Sequence, residues 1–151
     1  MPEKETLERA REDKREGKAP STQAGEFVRE EMHHVREGKH GARSTKQAIA
    51  IGLSKARRSG VKLRPPLRGS KRTRQQAKRE TARAKSGGRK KPSPTRARAV
   101  RGALKREGHS AASHAALARQ ARSSARRRSA SSRSATAKKA ARTRARSRVR
   151  S

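Results

Sequence analysis

The stretch HGARSTKQAIAIGLSKARR, residues 40–58, contains the densest run of large aliphatic side chains in the chain. Ser44 and Gln47, three residues apart, form the pattern of a capping box, in which both side chains bond backbone amides at the start of a helix. Gly60 follows the last basic residues and can adopt the left-handed conformation that ends a helix. This pattern predicts a helix between Ser44 and Gly60.

The predicted helix has an apolar face and a cationic face. Ile49, Leu53 and Ala56 recur at helical spacing, and Gly52 would let a neighbouring helix approach closely. We expect the aliphatic side to pack on the preceding helix and the cationic side to face outward. The cationic side chains are Lys46, Lys55, Arg57 and Arg58.

Two further helices are predicted upstream of this one. The first runs from about Glu3 to Glu16, with Gly17 as its C-cap, and the second runs from about Pro20 to Gly38. The second helix has one apolar stripe, formed by Val28, Met32 and Val35 with Phe27 beside them. Residues 1–63 are therefore predicted to form a small unit of about three short helices.

The predicted core of this unit is small, because only about ten large apolar residues are available to it. Val61, Leu63 and Leu67 are expected to cover its remaining edge before Pro65 and Pro66 stop regular structure. A core of this size predicts that the unit depends on a partner for its stability. A homodimer through the N-terminal helices is one such partner.

The composition excludes a large hydrophobic core. Of the 151 residues, 28% are hydrophobic and only Phe27 is aromatic. Cysteine is absent from the sequence, which excludes disulfides and thiolate metal sites. The longest apolar run, residues 48–53, is too short for a signal peptide or a membrane span. We therefore expect a cytoplasmic protein that has no membrane partner.

The charge is distributed unevenly along a chain whose formal net charge is +33. Residues 1–40 hold ten of the twelve acidic residues and nine Lys and Arg, so this part is close to neutral. From residue 41 onward there are 36 Lys and Arg and two acids, Glu80 and Glu107. A chain of this charge repels itself unless a polyanion neutralises it, which predicts nucleic acid as the partner.

Residues 64–151 are predicted to be largely disordered. Their low apolar content buries too little surface to offset the ordering of the backbone, which costs about 1–2 kcal/mol per residue. We divide them into a basic linker rich in Pro and Gly, 64–94, and a cationic tail rich in Ala, Arg and Ser, 95–151. Within the tail, 95–107 and 111–128 are expected to become helical when their charge is neutralised. The predicted fold class is mostly α with extensive disorder.

The basic residues predict non-sequence-specific binding to duplex DNA, because guanidinium and ammonium groups neutralise phosphates without a fixed scaffold. We expect a histone-like role in association with the nucleoid. The nucleic-acid-binding side chains are predicted to be Lys39, Arg43, Lys46, Lys55, Arg57 and Arg58 in the helical unit, and Arg126, Arg127, Arg128, Lys138, Lys139, Arg142, Arg144 and Arg146 in the tail.

Two alternative functions remain open. An RNA-binding or ribosome-associated protein would use the same charges, although the tail has no Phe, Tyr or Trp on which single-stranded bases could stack. In the second alternative, the helical unit is an adaptor that binds another protein, and the tail is a cationic tether.

No enzymatic site, cofactor or metal is predicted. No nucleophile, base and orienting group occur together in a credible arrangement. His33, His34 and His40 are the candidates for a metal site, but adjacent histidines point to different sides of a helix and no cysteine accompanies them. We therefore expect these histidines to be exposed.

Two stretches carry a resemblance to a known family. The block GKAPSTQAGEFVREEMHHVREGKHGARSTKQAIAIGLSKARRSGVKL, residues 17–63, resembles the N-terminal segment of a bacterial family of small, very basic, largely uncharacterised proteins that are usually labelled DNA-binding or histone-like. The stretch ALKREGHSAASHAALARQAR, residues 103–122, is similar to the same family. The rest of the tail resembles linker-histone tails in composition only. The resemblance implies association with DNA and implies no catalytic residues.

Overall fold

The computed structural model describes residues 2–67, 69–86 and 93–149, which are helical over most of their length. Seven α-helices and one 3₁₀ turn (Ser110–Ala112) occur in these ranges. The helices are α1 (Lys4–Arg15), α2 (Pro20–Arg36), α3 (Thr45–Arg58), α4 (Lys71–Lys85), α5 (Pro94–Arg106), α6 (His114–Arg126) and α7 (Ala130–Val149). None of them is both long and apolar enough to cross a membrane.

The first three helices end at the glycines that the sequence indicates. Gly17, Gly38 and Gly60 follow α1, α2 and α3 with φ angles of 71°, 74° and 92°. At the start of α3, Ser44 Oγ accepts a 3.2 Å hydrogen bond from the amide of Gln47. Gln47 Oε1 accepts a hydrogen bond from the amide of Arg43, one residue earlier than in a capping box.

A small core lies where α1, α2 and α3 meet, and α2 packs against both of the other helices. Its buried members are Ala10, Ala24, Phe27, Ala56 and Val61, with Leu7, Leu53 and Leu63 packed around them. Leu67 is 94% exposed, so the prediction that it covers this core is wrong. The further packing against α3 comes from α4 instead.

Small residues let α2 and α3 approach closely. A Cβ atom on Gly52 would lie 2.7 Å from Val28 Cα and 3.0 Å from the Phe27 carbonyl oxygen. Real Cβ atoms do not tolerate the first of these distances, so only glycine fits this position at the observed separation of the helices.

The prediction of extensive disorder is wrong. The predicted linker contains α4, and the predicted tail contains α5, α6 and α7. Serine side chains cap three of these helices, because the Oγ atoms of Ser70, Ser93 and Ser129 accept hydrogen bonds from the amides of Thr73, Arg96 and Ser132. Alanine and arginine are also strong helix formers. Capping and helix propensity therefore support helices in a segment that has few apolar residues.

One acidic residue joins α4 to α3. Glu80 is the single acid between residues 64 and 94. It is buried with Ala77 at the contact with α3. Its carboxylate accepts a 2.6 Å hydrogen bond from Ser54 Oγ and lies 3.7 Å from Arg57 Nη1. The predicted linker is therefore held against the helical unit by α4.

The segment that follows α5 returns to the connection between α2 and α3, and we call residues 104–112 the clasp. The amides of Gly41 and Ala42 donate hydrogen bonds of 2.9 and 3.0 Å to the carbonyl oxygens of Leu104 and Gly108. Thr45 Oγ1 donates a 2.6 Å hydrogen bond to the carbonyl oxygen of Ala111. The two stretches that carry the family resemblance therefore contact each other.

The described chain divides into two compact units between Ser113 and His114. The boundaries predicted from the sequence fall after residues 63 and 94. The first unit extends further than residue 63 because α4 packs on α3 and the clasp bonds to the connection between α2 and α3. The second unit contains α6 and α7 and is described separately.

Candidate nucleic-acid interface

Buried carboxylates lie between α2 and α3 and determine which cations remain exposed. Glu30 and Glu31 are 4% and 0% exposed. Lys55 Nζ lies 3.1 Å from Glu30 Oε1 and 2.7 Å from Glu31 Oε2. The Lys55 side chain is only 15% exposed. Lys55 was predicted to face outward to a nucleic acid, but its charge compensates these two carboxylates, which could not be buried without a cation.

Arg57 is the second predicted contact that points inward. Its side chain is 11% exposed and its partner is Glu80 of α4. Lys39 is half exposed, but its Nζ lies 3.1 Å from both Glu3 Oε1 and Glu37 Oε2. Hydrogen bonds to these two carboxylates raise the pKa of Lys39. These basic residues are therefore already paired within the first unit.

The other three predicted contacts of this unit are exposed. Arg43 lies in the connection before α3, Lys46 lies in the first turn of α3, and Arg58 is its last residue. Arg58 Nε also donates a 3.3 Å hydrogen bond to the Ser54 carbonyl oxygen. The exposed cationic part of α3 is therefore smaller than the sequence predicts and lies at the two ends of the helix.

The carboxylate of Glu3 ties the start of α1 to α2. Glu3 Oε1 is 2.9 Å from His34 Nε2 and 3.1 Å from Lys39 Nζ. Hydrogen bonds from these two side chains lower the pKa of Glu3 to about 2. The Glu3 amide also donates a 3.2 Å hydrogen bond to Glu30 Oε2.

A cationic surface that was not predicted from the sequence lies on α4 and α5. Ala77 and Glu80 are the buried residues of α4, and α5 has none. A signal for α4 was present in the sequence, because Ala77, Glu80 and Ala84 recur at helical spacing within a basic run. The exposed basic side chains on these helices are Lys71, Arg72, Arg74, Lys78, Arg79, Arg83 and Lys85 of α4 and Arg96, Arg98, Arg101, Lys105 and Arg106 of α5.

In the second unit, α6 presents a row of arginines. Arg119, Arg122 and Arg126 are spaced by three and four residues and therefore share one side of the helix. Together with Ser123 and Arg127 they line an open cleft of about 430 Å³. Arg126, Arg127 and Arg128 from the predicted set are exposed at the end of α6 and just after it.

The final helix, α7, is basic on all sides. Successive residues of an α-helix are rotated by about 100° around its axis. At their positions in α7, the basic residues are therefore distributed around the circumference of the helix. A helix of this kind has no apolar face to bury. Its exposed basic side chains are Arg133, Lys138, Lys139, Arg142, Arg144, Arg146 and Arg148, which include all five predicted tail contacts beyond residue 128.

These features define an all-helical, strongly basic protein whose acids are concentrated in the first unit. A protein family described as a family of unknown function (DUF6496) matches residues 15–67, which include α2 and α3. This description names no activity. No curated protein and no solved structure matches the chain.

Proposed function

We propose that this protein binds duplex DNA without sequence specificity by neutralising its phosphates, in a histone-like, nucleoid-associated role. The observation that carries the proposal is the charge of the second unit. Residues 114–151 contain thirteen Lys and Arg and no Asp or Glu. The described basic side chains of α6 and α7 are exposed. This excess of positive charge favours a polyanion as the partner.

The dimensions of α7 suit a duplex. A helix of 20 residues is about 30 Å long, and duplex DNA presents about 18 phosphate charges over that length. The seven basic residues of α7 described above can therefore each face a phosphate without competing for the same one. A helix that is basic all round can also approach phosphates on more than one side, as in a groove.

Duplex is favoured over single strands because the chain offers no aromatic surface. Single-strand binders stack bases on exposed aromatic rings. Phe27 is the only Phe, Tyr or Trp in the sequence, and it is 1% exposed in the core of the first unit. Phosphate neutralisation therefore supplies the affinity, which should fall steeply with salt.

The experiment titrates the full-length protein against a duplex DNA and a structured RNA of equal length at several salt concentrations. The test variant replaces Lys138, Lys139, Arg142 and Arg146 with glutamine. The control variant replaces four exposed neutral residues of the same helix, Ala135, Ala137, Ala140 and Ala141, with glutamine and keeps every charge.

We expect the test variant to make the slope of log affinity against log salt less negative by about 3.6, which is about 0.9 for each lost contact. The control variant is expected to keep the wild-type slope. An unchanged slope in the test variant would show that α7 is not part of the DNA interface. Tighter binding of the RNA in competition would replace the DNA proposal with the RNA-associated role.

A further inference from the structure

Three side chains that commonly bind metals meet at the C-terminal half of α2. Glu31 and His34 lie on α2, and His40 lies in the connection to α3. One ligand atom from each lies within 4.8 Å of those of the other two. Glu31 is fully buried, and the side chains of His34 and His40 are 12% and 17% exposed. All three histidines near the end of α2 were predicted to be exposed, which holds for His33 but not for His34 and His40.

We propose that Glu31, His34 and His40 bind a divalent transition-metal ion, with Zn²⁺ as the ion that this ligand set fits best. Two imidazole nitrogens and one carboxylate oxygen are a donor set found in zinc sites. Imidazole ligands favour zinc and its neighbours, whereas Ca²⁺ and Mg²⁺ prefer oxygen ligands alone.

Hydrogen bonds orient both imidazoles for this role. His40 Nδ1 lies 3.1 Å from the Gly41 carbonyl oxygen, which can only accept, so Nδ1 carries the proton. In the neutral ring Nε2 then has a lone pair, and this atom is 3.1 Å from Glu31 Oε1. His34 likewise directs Nε2 to the Glu3 carboxylate, which leaves its Nδ1 as the ligand atom. Histidines that bind metals generally donate their second nitrogen to such an acceptor.

The carboxylate of Glu31 is a second, independent observation that points to a cation at this position. Both of its oxygens are buried, and neither accepts a hydrogen bond of acceptable geometry. Lys55 Nζ is 2.7 Å from Oε2 and His40 Nε2 is 3.1 Å from Oε1, so both groups lie close to the carboxylate without the geometry of a hydrogen bond. Burying a carboxylate in this state is unfavourable. A metal at Oε1 would satisfy one oxygen and leave the other to Lys55.

The charge and geometry of the cluster are consistent with a cation. Two buried carboxylates, Glu30 and Glu31, share the single ammonium of Lys55. In tetrahedral zinc sites the bonds of about 2.0–2.2 Å place ligand atoms about 3.3–3.5 Å apart, close to the separation of His40 Nε2 and Glu31 Oε1. Glu30 Oε1, 4.0 Å from His34 Nδ1, or a water molecule can provide the fourth ligand.

A metal at this position would fasten the connection between α2 and α3. His40 directly precedes Gly41 and Ala42, whose amides bond the clasp. The ion would therefore couple the end of α2 to the segment that anchors residues 104–112. Its role would be structural, and it does not depend on the proposed binding to DNA.

The test uses full-length protein that has been treated with nuclease and stripped of metal with a chelator. Co²⁺ is the probe, because its visible absorption reports tetrahedral coordination, and Zn²⁺ is then added to displace it. The test variants are His34→Gln and His40→Gln. The matched control is His33→Gln, which removes an exposed histidine from the same helix.

We expect the wild type and His33→Gln to bind one Co²⁺ ion with tetrahedral absorption, and both test variants to bind at least about tenfold more weakly. Zn²⁺ should raise Tm in the wild type and His33→Gln but not in His40→Gln. Absence of the tetrahedral spectrum, or equal binding by all three variants, would overturn the proposal. Glu31, His34 and His40 would then be part of a buried cluster of ion pairs that binds no metal.

A measurement on the wild type alone covers the case in which a variant fails to fold. The chain has five histidines, whose imidazole signals can be followed by NMR while Zn²⁺ is added. The proposal requires that the signals of His34 and His40 shift at one equivalent while those of His33, His109 and His114 do not. Shifts of all five together, or of none, would contradict it.

Discussion

The hydroxyl group of Ser54 donates a 2.6 Å hydrogen bond to Oε1 of Glu80, and this contact joins α3 to α4. The second oxygen of the same carboxylate lies 3.7 Å from Arg57. Neither α3 nor the remainder of α4 contains another acid. Because two basic helices repel each other, Glu80 is the residue that permits α4 to pack on the first unit.

Replacing Glu80 with alanine is expected to lower the free energy of unfolding by about 2 kcal/mol, because it removes the acceptor of the Ser54 hydroxyl and the ion-pair partner of Arg57, whose side chain is largely buried. Urea unfolding followed by circular dichroism measures this loss. Glu8→Ala is the control, since it removes an exposed acid from α1 and changes the net charge equally. A loss no larger than that of the control would mean that Glu80 does not hold α4.

Replacing Gly41 with alanine is expected to displace the clasp. The new Cβ would lie 1.8 Å from the Glu107 carbonyl oxygen and 2.3 Å from its carbonyl carbon. Backbone atoms cannot move aside as a flexible side chain can, so we expect a loss of about 3 kcal/mol. Hydrogen exchange at the Ala42 amide, which bonds Gly108, should accelerate strongly.

Gly25→Ala is the control for this substitution. Gly25 lies in α2, and a Cβ there meets nothing within 4 Å. We expect a gain of about 0.5–1 kcal/mol from higher helix propensity. Slow exchange at Ala42 in Gly41→Ala would show that the clasp does not depend on this close contact.

The approach of α2 to α3 predicts that Gly52→Ala destabilises the first unit. The gain of about 1 kcal/mol in helix propensity is outweighed by the clash with Val28 Cα, and we expect a net loss of about 2 kcal/mol. Thermal unfolding measures it. Gly102→Ala in α5 is the control, because its Cβ would make only an ordinary contact, 3.7 Å from Arg106 Nη1. Stabilisation by Gly52→Ala would contradict the observed separation of the helices.

Local signals allowed the first three helices to be predicted from sequence. The positive φ of Gly17, Gly38 and Gly60 and the serine cap of α3 are set by residues within one turn of each helix end. The apolar stripe of α2 likewise follows from helical spacing, and Phe27, Met32 and Val35 are buried. Features of this kind require no knowledge of distant residues.

The features that could not be predicted from the sequence depend on contacts between distant residues. The environment of Lys55 is set by Glu30 and Glu31, and Glu30 is 25 positions away in the sequence. The inward orientation of Lys55 therefore cannot be predicted from the sequence of α3 alone. The packing of α4 depends on the contact between Ser54 and Glu80, 26 positions apart. The Glu31, His34 and His40 cluster needs the connection between α2 and α3 to fold back onto α2. Charge composition alone underestimated how far alanine, arginine and serine caps support helices.

Lys46 and Lys55 occupy the same helix, and both were predicted to contact nucleic acid, yet their surroundings differ. Lys46 is exposed, whereas Lys55 lies between two buried carboxylates. Lys46→Gln is expected to leave the free energy of unfolding within about 0.5 kcal/mol of the wild type. Its slope of log DNA affinity against log salt should become less negative by about 0.9 if Lys46 contacts a phosphate.

Lys55→Gln is expected to show the opposite behaviour. Loss of the ammonium leaves Glu30 and Glu31 buried without their shared cation, which should cost about 3 kcal/mol of stability. The salt dependence of DNA binding, measured where circular dichroism shows the variant to be folded, should remain that of the wild type. If the slope instead became less negative by as much as in Lys46→Gln, Lys55 would contact DNA in the complex and would no longer pair with the carboxylates. Glu30 and Glu31 would then need another cation in the complex.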